Sequence, residues 1–205
     1  MAGRREISSL TTQPGLGKLR QELGDVRSFW QEEGPGQGRR IQQTIESYLK
    51  EDPTLSDVDL ELRRGGPGYY LPSQDKIQLG VVNPAVVGHE LGHAQNLRKT
   101  KLYGKVIRAA EGVARINNVA AIPAMLGIRA LIGDRGTRNE ILNLLSGVSA
   151  AIAAPGLVEE MSASISAVKH APDKMQAIKT LVPAFTTHVM SSMLPTGLYQ
   201  LGKHI

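Results

Sequence analysis

Two histidines four residues apart on one helix restrict this chain more than any other feature. Asn83-Pro84 leads into Ala85-Val-Val-Gly-His-Glu-Leu-Gly-His93, with asparagine suited to an N-cap and proline to the first helical position. The pattern predicts a helix over 84–99 with His89 and His93 projecting from one face. Two imidazole nitrogens so placed can meet one zinc ion at about 2.0–2.1 Å each. Glu90 sits about 100° further round the helix. It is badly placed as a ligand beside the histidines, but it can reach a water on the ion and act there as general base. Gly92 lets another backbone or the edge strand approach closely. A catalytic ion needs a third protein ligand and one open position, so another element must supply that ligand.

The supply is short. The chain has no cysteine and five histidines, His89, His93, His170, His188 and His204. Thiolate zinc sites, iron–sulfur clusters, disulfide frameworks and a Cys nucleophile are excluded. The metzincin extension needs Gly at 96 and His at 99, where this chain has Asn96 and Lys99. Downstream glutamates remain. Glu111 follows His93 by 18 residues, near thermolysin-type spacing, and Glu159 and Glu160 lie farther on. Pro155-Gly156 reads as a helix start, which puts Glu159 and Glu160 in a first turn, where capping of the dipole is the competing role. His170 and His204 read as surface residues.

At 205 residues, 41% hydrophobic and 21% charged, the chain is long enough for one domain with a real core. Residues 1–53 read as a helical N-terminal region. Leu19, Leu23, Val26 and Trp30 mark one amphipathic helix; Ile41, Ile45, Tyr48 and Leu49 mark another, ended by Asp52-Pro53. Val58, Leu60 and Leu62 alternate with acids as in a half-buried strand. A glycine-rich loop follows, then Tyr69-Tyr70-Leu71 and a strand over 76–79. Beyond residue 83 the pattern predicts helices over 84–99, 101–132, 138–153, 156–169 and 173–201. The expected fold is α+β and mostly helical. Its domain, 54–205, has a small sheet before the histidine helix and a C-terminal helical bundle. A strand just before that helix is the edge-strand order of zincin folds, and a substrate peptide could add to it by backbone hydrogen bonds.

Charge and hydropathy speak to partners. Ile141–Val158 and Thr180–Gly202 carry no Asp, Glu, Lys or Arg and reach spanning length. Their Ala, Ser, Thr and Pro content reads instead as buried or interfacial helices. The start, Met1-Ala-Gly-Arg-Arg-Glu-Ile, lacks the apolar core of a secretory signal, so a cytoplasmic or membrane-associated location is expected. Between residues 98 and 138 nine basic residues face two acids. That stretch is either a solvated helix face or a contact for anionic headgroups or a large assembly. Nucleic acid ranks last among partners, because it rests on the basic stretch alone, and aromatics at 4% argue against stacking platforms for single strands.

The order His89-Glu-Leu-Gly-His-Ala94, two long apolar helices, then Glu160-Met-Ser-Ala-Ser164 resembles the HtpX-type and CAAX-prenyl endopeptidases. It is more similar still to the YugP-type membrane zinc metallopeptidases, which have an aspartate-containing strand segment, here Asp75-Lys-Ile-Gln-Leu79, and an E-x-x-A-S motif. The resemblance covers roughly residues 70–200. It implies a zinc endopeptidase acting on a protein or peptide, with His89, His93 and Glu160 as ligands and Glu90 as base. Glu159 would then face solvent or bond to a ligand histidine. His188 lies where such proteins tend to carry a tyrosine, and is either a donor to the developing oxyanion or a packed residue in a kinked helix. Tyr69, Tyr70 and Tyr199 are further donor candidates. The alternative is a structural or interaction protein of a membrane or large assembly that keeps a zincin fold without catalysis.

Overall fold

The computed structural model describes residues 36–62, 68–79, 83–99 and 101–204. The amphipathic segment around Leu19–Trp30 lies outside them. The described elements run α1 (Gln37–Glu51), a 3-10 turn (Pro53–Asp57), β1 (Asp59–Leu62), β2 (Tyr69–Leu71) and β3 (Lys76–Leu79). They continue with α2 (Pro84–Lys99), α3 (Lys101–Leu131), α4 (Arg135–His170) and α5 (Lys174–Leu201). The protein is mostly helical with one three-stranded sheet.

α1 earns its place through Ile41, Ile45, Tyr48 and Leu49, all buried at three- and four-residue steps. They share one core with Leu55, Val58, Leu60, Ile77 and Leu79 and with Val87, Leu91 and Ala94 of α2. The sequence on either side of residue 53 therefore packs into a single core. Tyr48 ties the layers together, because its hydroxyl donates to the Gly88 carbonyl at 2.7 Å, one residue before His89.

The sheet differs from expectation in order. Its strands lie β1-β3-β2, with β1 parallel and β2 antiparallel to β3. β3 is thus the central strand, with both backbone edges already paired, and cannot accept a substrate peptide. The hairpin folds β3 back between its neighbours through a turn at Asp75, which has a φ of 51°. Asp75 is held there by the Tyr70 hydroxyl at 2.6 Å and by the Arg98 guanidinium. Arg98 comes from the last turn of α2, so the hairpin is pinned to the histidine helix.

The helical part differs at one break. α4 runs unbroken through Pro155, so Glu159 and Glu160 lie deep inside a helix and cannot cap its first turn. Proline removes one i→i−4 bond, which packing against α2, α3 and α5 tolerates here. α5 likewise runs through Pro183 and Pro195. α3 and α4 form an antiparallel hairpin, started anew by Asp134, whose carboxylate accepts from Thr137 N–H at 2.6 Å.

Two further expectations change. His170 is buried, not on the surface, with its ring 4.0 Å from that of Tyr48 and Nδ1 2.9 Å from Ser47 Oγ. Of the two roles expected for the apolar helices, buried or interfacial, full burial does not hold, since each buries one side only. Apart from Tyr69, every exposed large hydrophobic residue among those described lies on α3, α4 or α5, with Val119 81% and Leu131 87% exposed. Among the described residues, α4 alone is long and apolar enough to cross a membrane.

Candidate metal centre

α2 starts where the sequence placed it, with Asn83 Oδ1 accepting from Ala85 N–H at 2.8 Å. Its seam against α4 is made of small residues. A Cβ on Gly92 would lie 2.8 Å from the Ala163 carbonyl oxygen, and one on Gly88 would lie 3.3 Å from Ala167 Cα. The partner that comes close to Gly92 is therefore a helix backbone rather than a strand. This close approach brings α4 side chains up to the two histidines.

His89 Nε2 and His93 Nε2 lie 3.1 Å apart. Glu160 Oε2 is 3.2 Å from His89 Nε2, and Oε1 is 3.6 Å from His93 Nε2. Ligands on a tetrahedral ion with bonds of about 2.0–2.1 Å are separated by about 3.3 Å, the edge of that tetrahedron. The three separations lie near this value, with the two carboxylate contacts made by different oxygens of Glu160, so one small ion is within reach of all three side chains. His89, His93 and Glu160 can hold a metal ion. Glu111 does not join them; it is exposed on α3, across a cleft of about 300 Å³ that opens beside Glu160 and His188.

The other residues singled out by sequence fall at different distances. Glu90 is 5% exposed, and the Tyr70 backbone N–H bonds to its carboxylate. Burial raises its pKa above the ordinary value; His93 and His89 oppose this and Glu160 reinforces it. His188 Nδ1 lies 3.9 Å from Glu160 Oε1, beside the site and half exposed. Tyr70 spends its hydroxyl on Asp75, while Tyr69 is exposed. Tyr199 is packed with Met125 and Leu142 in a separate apolar cluster. His204 is exposed.

Beyond the ligand set, sequence spacing did not reveal Tyr103 and Asn96. Both donate to Glu159, which is itself 3.0 Å from His93 Nδ1. Burial and the Glu159 bond push the Tyr103 hydroxyl up to about 12. Burial alone would lower the His93 pKa, but Glu159, Glu160 and Glu90 together raise it. Three carboxylates around two imidazoles form an anionic pocket suited to a cation. No family model matches the chain, and no match to it was found among curated proteins or solved structures.

Proposed function

We propose that the protein is a zinc-dependent endopeptidase on a zincin-like fold, with His89, His93 and Glu160 holding the ion and Glu90 as general base. The observation that carries this reading is the convergence of two imidazole nitrogens, 3.1 Å apart, with one carboxylate whose oxygens lie 3.2 and 3.6 Å from them. An all-N/O set of two His and one Glu is a zinc set for catalysis, since it leaves one position open. When bound, zinc acidifies a water and polarises the scissile carbonyl. The protein's part is positional. Glu90, buried and steadied by the Tyr70 amide, takes the proton from the attacking water and passes it to the leaving amine. A carboxyl raised by burial is better matched to that exchange near neutral pH. His188, which lines the cleft beside Glu160, donates to the developing oxyanion. The motif order shared with the YugP-type metallopeptidases supports a peptide as substrate.

The apolar faces of α3–α5 favour a membrane-associated location, because uncovered patches of this extent on soluble monomers are rare. The same faces support the alternative reading, a non-catalytic component of a membrane or assembly.

Metal analysis separates the two. The purified protein should carry about one zinc per chain, and His93→Ala should remove most of it. A protein that purifies metal-free and takes up no added zinc would falsify the enzyme reading.

A further inference from the structure

Glu159 and Glu160 are adjacent, yet their carboxylates go to different places. Glu160 faces the point shared by the ring nitrogens. Glu159 turns inward and is only 3% exposed. It collects the Tyr103 hydroxyl at 2.7 Å from α3, the Asn96 amide at 3.3 Å from α2, and His93 Nδ1 at 3.0 Å. Asn96 is in turn steadied by Ser162 Oγ at 3.0 Å.

A carboxylate accepts hydrogen bonds, so the neutral tautomer that pairs His93 with Glu159 carries its proton on Nδ1. A neutral imidazole has one N–H, which leaves the lone pair on Nε2, the atom that faces His89 and Glu160. His89 is treated in the same way from the other side. Ser164 Oγ lies 3.3 Å from its Nδ1 and can accept a hydrogen bond there, in the tautomer that leaves the His89 Nε2 lone pair for an ion. A buried carboxylate is costly to keep among neutral groups. An amide could make similar hydrogen bonds without that cost, so packing alone gives no reason for an acid here.

We propose that Glu159, clamped by Tyr103 and Asn96, is the positioning residue that fixes His93 as an Nε2 ligand and strengthens its hold on the ion. The Glu159-Glu160 pair is thus divided between the ligand and the metal. This rests on the metal-site reading above and adds the residue that sets its affinity.

The test uses the full chain loaded with zinc in competition with a chelator, and with Co²⁺ as a visible probe of ligand field. Glu159→Gln should weaken zinc binding by about 10–100-fold, as loss of such an outer partner does elsewhere. It should also shift the Co²⁺ absorption bands, while the thermal midpoint of the metal-free protein changes little. Tyr103→Phe, which leaves the carboxylate but loosens its clamp, should weaken zinc by a smaller factor. Wild-type zinc affinity and an unshifted Co²⁺ spectrum in Glu159→Gln overturn the proposal. A lower thermal midpoint with unchanged affinity does so too, since the role is then structural. If Glu159→Gln does not fold, Tyr103→Phe decides alone, and unchanged affinity there counts against it. A wild-type chain that binds no zinc fails the metal-site reading and this inference together. A wild-type chain with His93-dependent zinc but indifferent Glu159 variants fails this inference only.

Discussion

At the scale of single residues, binding and chemistry can be separated. Glu90 is buried beside the ligands but contributes none of the donor atoms that converge. Glu90→Gln should keep the zinc and the fold while hydrolysis falls by about 10²–10⁴-fold, the usual contribution of a general base. Zinc content and peptide turnover, measured on one preparation, check this; an active variant sinks the assigned base. Gly92 makes a different claim. Its missing side chain admits the Ala163 backbone, which cannot swing aside as a flexible side chain could. Gly92→Ala should cost about 1–3 kcal/mol, as overpacking does, and should pry Glu160 away from the histidines. Denaturant unfolding and zinc uptake should fall together. The His-x-x-x-His pair and its following glutamate were legible in the sequence because a helix fixes their relative placement within one turn. The clamp on Glu159 was not, because it joins residues 56 to 66 positions apart through tertiary packing alone.

At the scale of elements, local signals worked where they were self-sufficient. The alternation in Ile77 and Leu79 and the Asn83-Pro84 start both describe what formed. Pro155-Gly156 misled, since neighbouring helices hold α4 straight enough to pass through a residue that would end an isolated helix. The place of β3 was equally hidden, because strand order depends on which partners a hairpin meets and not on its own pattern. The junction of α1 and α4 carries a testable pH dependence. Burial and the neighbouring Lys169 lower the His170 pKa, against the pull of Glu51. Because the folded value lies below the unfolded one, the unfolded chain binds the proton first as pH falls. Stability from this junction is full above about pH 6.5 and is lost as pH drops toward the folded value. An NMR titration of the zinc-loaded protein should place His170 below 6.5, and His170→Gln should flatten that part of the thermal midpoint's pH dependence. A His170 titrating at or above 6.5 contradicts the account.

At the scale of the molecule, two regions differ in character. One is the core shared by α1, the sheet and α2; the other is a three-helix extension with apolar outer faces. The protein should therefore float with anionic phospholipid vesicles at low salt, partly released by high salt as headgroup attraction is screened. Recovery entirely in the vesicle-free fraction at both salt concentrations argues against membrane association. The ligand set also has a temporal side. His89 and His93 leave the ribosome first, but Glu160 follows His93 by 67 residues, with the whole of α3 and most of α4 between them. At synthesis rates of about 5–20 residues per second, the nascent chain spends seconds with two of its three donors and no clasp. On the proposed reading, metal loading is then a late event in the protein's life, and a chain cut short in the α3–α4 turn would carry the recognisable histidine motif without its third donor.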